Sequence, residues 1–350
     1  MMKRKRIYII GDLFMKVAYF KKALVNRIGD DHLIKTLQLN WPDEYIVQDY
    51  NNEGLNGLRE YVGDPDEIME FLDDPQIIIN HLAPITKQMF NHMPNLEMIA
   101  VSRGGPVNID MKAAQVKKIK VVNTPGRNAS AVAEFTIGAI LSETRLIRKG
   151  HESLRKGIWR GDLYREDITG RELSEMTVGI IGYGNIGKRV VKLLKPFNCK
   201  ILVCDPYVDL ENEDKVSNIE KVKINVLLKN SDVVSLHSRV TDETTKFINY
   251  ESFKMMKKNS YFINTARGPM VDYGALEDAL NENILAGAML ETFSIEPVPS
   301  EWSLLKHDNV TLTPHIAGAS IKTIKNACDK VSLEIQCHLD GKEPLNDLSP

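Results

Sequence analysis

Thr177-Val178-Gly179-Ile180-Ile181-Gly182-Tyr183-Gly184-Asn185-Ile186-Gly187 is a short apolar strand running into Gly-x-Gly-x-x-Gly. A helical pattern, Lys188 to Lys195, follows. In such a loop the first glycine allows a tight turn and the second lets backbone approach a pyrophosphate. The third lets helix and strand pack closely, and the helix N-terminus offers amide donors. The next apolar run, Lys200 to Cys204, ends in Asp205, which lies 18 residues beyond Gly187. That is close to the spacing of about 20 expected for an acid that binds an adenosine ribose. A lone glycine triplet is usually an ordinary turn. Between a strand and a helix, with an acid closing the next strand, it predicts a dinucleotide site. Gly182, Gly184, Asn185, Ile186 and Gly187 would meet the pyrophosphate, and Asp205 the ribose.

The chain has 350 residues, enough for two domains. Its 45 basic and 47 acidic residues nearly cancel, which gives no footprint for a nucleic-acid partner. The basic start, Lys3 to Arg6, leads into an apolar run stopped by Gly11-Asp12, too short for a signal-peptide core. No apolar run reaches the roughly 18 residues that would span a membrane. Cys199, Cys204, Cys328 and Cys337 lack metal-ligand spacing and read as reduced residues of a cytoplasmic protein with no metal site.

Upstream of the glycine loop, apolar strand-like runs (Arg6–Ile10, Gln76–Ile79, Met98–Ser102, Val121-Val122) alternate with helical ones (Lys16–Arg27, Asp66–Leu72, Met111–Lys117). The polar stretch from Trp41 to Pro75 gives no firm pattern before its helical part. A second series of strands starts at Val178 and continues with Ile201–Cys204, Val233–Leu236, Tyr261–Ile263, Ala288–Leu290 and Val310–Leu312. Alternation of this kind predicts an α/β protein with two doubly wound parallel sheets. The expected division is residues 126–318 as a Rossmann nucleotide-binding domain, inserted in a discontinuous, flavodoxin-like domain of residues 1–125 and 319–350. A helical pattern from Ser320 to Leu339 would return to the first domain. Ala129 to Ile147 reads as one helix, apolar on most faces, that must be covered between domains, at a subunit interface, or both.

Three polar residues follow strand ends beyond the glycine loop, where an open parallel sheet presents its ligands. Arg267 follows Tyr261–Ala266, Glu296 follows Leu290–Ile295, and His315 follows Val310–Pro314. Singly they read as a surface arginine, a solvated glutamate and a capping histidine. Beyond a nucleotide fold they fit hydride transfer at a 2-hydroxy acid. A guanidinium grips a carboxylate in two places. An imidazole takes or returns the hydroxyl proton, and a carboxylate beside it fixes the tautomer and favours the charged ring.

These segments resemble the D-isomer-specific 2-hydroxyacid dehydrogenase family. The matching motifs are Gly182–Gly187, Asn264-Thr265-Ala266-Arg267-Gly268, Phe293-Ser294-Ile295-Glu296-Pro297 and Thr313-Pro314-His315-Ile316-Ala317-Gly318. Val132-Ala133-Glu134 and Gly157-Ile158-Trp159-Arg160 fit as well, so the resemblance covers most of Leu96 to Ser320. It implies Arg267 as carboxylate binder, His315 as acid/base and Glu296 as its partner. It implies an NAD cofactor with Ser238, Thr265, Ala266, Glu291 and Gly318 about the nicotinamide, a small 2-oxo or 2-hydroxy acid substrate, and a homodimer built on the nucleotide domain. Arg103, Gly104, Gly105 and Asn80 fall at its substrate positions.

The sequence departs from the family at three places. Glu291 stands where Asp is usual, so its reach to the nicotinamide amide is longer. The loop Ser102–Asn108 is short, and Pro106 removes one amide donor. Asn80 replaces a phosphate-binding Arg of 3-phosphoglycerate dehydrogenases, and no match to their regulatory extension is seen, which leaves that enzyme as an alternative. A second alternative is an NAD-sensing corepressor of the same fold; its usual disordered tails are not expected here, since the ordered pattern runs almost to Pro350. Formate dehydrogenases carry Gln in place of Glu296. Asp205 followed by Pro206-Tyr207, with no Arg, favours NAD over NADP. Selectivity is expected around Asn80–Ala83 and Arg103, with His81 either touching substrate or serving its own loop.

Overall fold

The computed structural model describes residues 4–41, 54–216 and 218–348. Residues 42–53, the first part of the uncertain polar stretch after Trp41, and the last two residues lie outside these. The chain divides into two compact units, Met1–Asn128 with Ser320–Pro350, and Ala129–Ala319.

The first unit runs β1 (Arg6–Gly11), α1 (Val17–Ile28), β2 (Leu33–Gln38), α2 (Pro65–Phe71), β3 (Ile77–Asn80), β4 (Met98–Val101), α3 (Met111–Val116) and β5 (Lys120–Val122). Its strands form one parallel sheet in the order β2-β1-β3-β4-β5, the flavodoxin-like arrangement. The inner strands are apolar at nearly every position because both faces are covered. Successive residues point to opposite faces. Tyr8, Ile10, Ile78 and Ile99 meet Ile68 of α2 and Ala113 of α3, while Ile7, Ile9, Ile77 and Met98 meet Phe20 and Leu24 of α1.

The second unit holds α4 (Ala129–Thr144), α5 (Ile147–Arg155), β6 (Thr177–Ile181), α6 (Gly187–Leu194), β7 (Lys200–Cys204), β8 (Ile219–Lys221), α7 (Ile224–Asn230), β9 (Val233–Leu236), α8 (Tyr250–Met255), β10 (Ser260–Asn264), α9 (Tyr273–Asn281), β11 (Leu285–Leu290) and β12 (Val310–Leu312). Its seven parallel strands lie in the order β12-β11-β10-β9-β6-β7-β8, a Rossmann sheet with one added strand. After it comes α10 (Ile321–Leu339), capped by Ser320, whose Oγ accepts from Thr323 N at 3.0 Å. Ile324, Ala327, Val331 and Ile335 of α10 complete the α1 face of the first sheet.

Three local features differ from the sequence reading. Strands β2 and β8 occupy sheet edges and are partly exposed and polar, so they lack the apolar signature of an inner strand. The helix expected over Ala129–Ile147 stops at Thr144, because Leu146 takes a left-handed conformation (φ 56°) before α5 begins. Nor is α4 buried on all sides: Val132, Ala133, Thr136, Ala139, Ile140 and Glu143 form a buried stripe, whereas Glu134 and Gly138 are exposed.

Asp232, at the start of β9, ties three segments together. Its carboxylate accepts from Thr177 N at 2.8 Å, Arg171 Nη1 at 2.9 Å and Lys257 Nζ at 2.6 Å. Burial by itself would raise its proton affinity, but the Lys257, Thr177 and Arg171 bonds outweigh it and hold the carboxyl below its ordinary range. A depressed carboxyl stabilises the fold above the unfolded value of about 3.9, and that contribution disappears as pH falls through the folded value. Asp232→Asn should therefore lower stability by about 2 kcal/mol at neutral pH. Denaturant melts should show the gap from wild type closing in acid; a gap independent of pH would overturn this account.

Candidate active site

The loop after β6 shows a different use for each motif glycine. Gly182 has φ 95°, donates its N–H to the Cys204 carbonyl at 2.8 Å, and leaves no room for a Cβ beside His237. Gly184 faces open space, with nothing within 4 Å of a built Cβ. At Gly187, the first residue of α6, a Cβ would run into the Gly182 carbonyl. Turn, approach and packing are thus separated as a dinucleotide loop requires, and the cradle at Gly184 is one that a side chain would fill. Asn185 is exposed and Ile186 partly buried at the helix start. Tyr183 is fully buried, its hydroxyl bonded to Asp214, which pins the loop from beneath.

Asp205 stands just past β7. Its Oδ2 accepts from Tyr183 N at 2.7 Å, and its Oδ1 accepts from Tyr207 N at 2.8 Å and Val208 N at 2.9 Å. The carboxylate is locked beside the glycine loop, and with about four acceptor sites it keeps capacity for ribose hydroxyls.

Arg267, Glu296 and His315 follow three neighbouring strands. Asn264 of β10 pairs with Leu290 of β11, and Leu290 pairs with Leu312 of β12. Adjacent strands lie about 4.8 Å apart, so the three loops leave one edge within about 10 Å. The Nδ1 of His315 lies 2.8 Å from Oε2 of Glu296, whose Oε1 accepts from Phe293 N at 2.8 Å. A carboxylate only accepts here, so Nδ1 carries the proton and Nε2 is left for another partner. His315 has φ 54°, a conformation a histidine holds only where its surroundings enforce it. The side chain of Arg267 is exposed, with Nη1 donating to the Ala266 carbonyl at 2.7 Å. Among the described residues it forms no ion pair, so the outer edge of its fork is open to a carboxylate.

Glu291 supplies the enforcement at His315. It is buried at the end of β11. One carboxylate oxygen takes the Thr313 hydroxyl and the other the Ala317 amide, while its backbone carbonyl accepts His315 N at 3.1 Å. Burial raises the carboxyl's proton affinity against the pull of those two side-chain bonds. The sequence singled out Glu291 for a nicotinamide contact; here its carboxylate holds the histidine loop from both sides. Of the other expected nicotinamide neighbours, Thr265 shares a hydroxyl bond of 2.9 Å with Thr136 of α4, and Ala266 is buried. Ser238 Oγ donates to the Ile181 carbonyl at 3.4 Å, and Gly318 sits in the turn after His315.

The residues expected to meet substrate from the first unit are differently placed. Asn80 is fully buried and both ends of its amide bond Ala83, with Nδ2 to O at 2.8 Å and N to Oδ1 at 3.0 Å. That amide shapes its own turn. Arg103 is paired with Glu60, whose carbonyl also accepts its Nη1 at 2.8 Å. Gly104 and Gly105 are exposed, with open space about both. His81 is buried and bonded to Asp12.

A family model described as the NAD-binding domain of D-isomer specific 2-hydroxyacid dehydrogenases matches residues 137–317. A glyoxylate reductase of Thermofilum pendens is 36% identical over 315 residues, covering 87% of this chain and 93% of that one. A D-3-phosphoglycerate dehydrogenase of Methanocaldococcus jannaschii is 36% identical over 83% of this chain and 56% of its own length. Among solved structures, TP0037 of Treponema pallidum, a D-lactate dehydrogenase, shares the fold with a TM-score of 0.81 at 22% identity, covering 98% of this chain and 100% of that one. The chain belongs to the D-isomer specific 2-hydroxyacid dehydrogenase family, and its second unit carries that family's NAD-binding domain. Among the described residues no helix is long and apolar enough to cross a membrane.

The Glu291 tie has a direct test in backbone protection. Glu291→Ala should speed hydrogen exchange at His315 and Ala317, whose amides it orders through backbone and side chain. Glu291→Gln keeps an acceptor oxygen and should change exchange far less. Equal protection in wild type and the alanine variant would show that the loop is held by something else.

Proposed function

We propose that this protein catalyses the NAD-dependent interconversion of a small 2-oxo acid and its D-2-hydroxy acid. The observation that carries this is the bonded His315–Glu296 pair one strand from an unpaired Arg267, at the carboxyl edge of an NAD-binding sheet. Arg267 binds the substrate carboxylate and orients C2. In reduction, Nε2 of His315 gives its proton to the carbonyl oxygen; in oxidation it takes the hydroxyl proton. Glu296 holds the ring with Nε2 outward and offsets the charge on the protonated ring. The nicotinamide, when bound, donates or accepts the hydride. Glu291 keeps the histidine loop in its left-handed turn. Asp205 favours NAD, because a 2′-phosphate would meet its fixed carboxylate. The names of the relatives support glyoxylate or hydroxyacids of similar size as substrates. The four cysteines are all free, in keeping with a reducing cytoplasmic setting.

The test is NADH oxidation with a panel of 2-oxo acids. A turnover several-fold slower with NADPH is expected. His315→Ala should lower kcat by about 10²–10⁴. Arg267→Ala should raise KM as well as lower kcat, and Glu296→Gln should lower kcat while NADH affinity holds. No turnover of any 2-oxo acid, or an alanine variant of His315 at near wild-type rate, would overturn the assignment.

We also propose a homodimer formed through α4 and the segment after α5. That segment leaves Trp159 84% and Tyr164 94% exposed, beside Ile158 and Leu154. Aromatic side chains so displayed are the anchors of a protein interface rather than of a free surface. Sedimentation at micromolar concentration should give a dimer that Trp159→Ala with Tyr164→Ala weakens; a wild-type monomer would refute it.

A further inference from the structure

The first unit carries a cluster of charge that the proposed chemistry leaves unused. Its strand order reverses direction between β1 and β3, since β1 passes to β2 on one side and β3 lies on the other. At such a point the loops leaving the strands part, and a crevice opens at the carboxyl edge of the sheet. Asp12 directly follows β1 and His81 directly follows β3. Nδ1 of His81 lies 2.5 Å from Oδ2 of Asp12. Arg127, past β5, comes to the same place, with Nη2 3.4 Å from Nε2 of His81.

Chemistry fixes the protons. A guanidinium can only donate, so Nε2 of His81 accepts, and the ring's single proton sits on Nδ1 toward Asp12. Burial also opposes a second proton on this ring. The other oxygen of Asp12 accepts Phe14 N at 2.9 Å and Met15 N at 2.8 Å. Both oxygens of Asp12 and both ring nitrogens of His81 are therefore engaged.

Arg127 is not. Its Nη1 has only the Met15 sulfur, at 4.0 Å, and the guanidinium rests over the Phe14 ring at 5.9 Å. Among the described residues no carboxylate oxygen lies within 4.0 Å of it. Burial lowers its pKa to about 10. Yet the residue is firmly placed: its carbonyl accepts Asn326 Nδ2 at 3.1 Å, and the Pro125 carbonyl accepts Lys330 Nζ at 3.0 Å. A fixed, partly buried guanidinium with most of its five donors idle lacks an acceptor that an oxyanion would supply in bidentate fashion.

We infer that Arg127, propped by the Asp12–His81 pair, is an oxyanion-binding site of the first unit, made for a carboxylate or phosphate group. If the anion is part of the substrate, which rests on the proposed reaction, the preferred 2-oxo acid bears a second acidic group. If it is a free ion, inorganic phosphate itself occupies the site.

Two arms test this. In the first, the protein is saturated with NAD, so that the glycine loop is filled, and its melting temperature is followed with added inorganic phosphate against sodium chloride of equal ionic strength. Phosphate should raise Tm in wild type and not in Arg127→Gln. In the second, kcat/KM is compared for 2-oxoglutarate against 2-oxopentanoate, and for phosphohydroxypyruvate against hydroxypyruvate. A substrate-borne anion predicts that Arg127→Gln reduces the acidic-to-uncharged ratio by about tenfold or more. A free anion predicts the Tm response with that ratio unchanged. Should Arg127→Gln fail to fold, Arg127→Lys keeps the charge but loses the fork, and should weaken the phosphate response. No phosphate response in wild type, or the same response in the variants, overturns the site, whatever the enzyme turns over.

Discussion

Parallel pairing is the constraint on which the chemistry of this chain depends. Strands covered by helices on both faces have no place for polar groups along their length, so such groups collect where the strands end. In the second unit, β10, β11 and β12 end level with one another, and the loop after each carries one side chain of the proposed site. The hydrogen-bond register between Asn264, Leu290 and Leu312 thereby sets the spacing of Arg267, Glu296 and His315. A slip in that register would displace a whole loop. Glu291 adds the finer adjustment, bonding across from β11 to the loop after β12.

The same pairing of imidazole and carboxylate occurs in both units, with opposite surroundings. In the second, His315 and Glu296 keep 26% and 12% of their side chains exposed, and Nε2 has no protein partner among the described residues. In the first, His81 and Asp12 keep 5% and 1%, and Nε2 already faces an arginine. Geometry at Nδ1 is alike; what differs is access at Nε2, open in one pair and taken up by an arginine in the other. A histidine beside a carboxylate is thus not by itself a sign of acid–base chemistry.

Much of the fold was legible because its signals are local. The glycine loop, the apolar inner strands and the polar residues just past them each declare themselves within ten or so residues. What escaped was set by distant partners or by weak local signal. Strands β2 and β8 pair on one side only and mix polar with apolar residues. The break at Leu146 carries no glycine or proline to announce it. Asn80 falls at an expected substrate position, and the bonds its amide makes to Ala83, three residues on, depend on a turn that carries no local signal. Glu291 was singled out, but its bonds to Thr313 and Ala317 depend on how two strands lie together. Asp12, His81 and Arg127 are brought together only by the sheet order.

The late return of α10 has a consequence for synthesis. A ribosome releases the chain from its N-terminus, and domains tend to fold as units as they emerge. The second unit is one continuous segment, able to close as soon as Ala319 is clear. The first is not: the face made by Ile7, Ile9, Ile77 and Met98 waits for Ile324, Ala327, Val331 and Ile335. Throughout the translation of the whole second unit, an apolar sheet face of the nascent protein lacks part of its cover. Of the two units, the one begun earlier is therefore the one completed later.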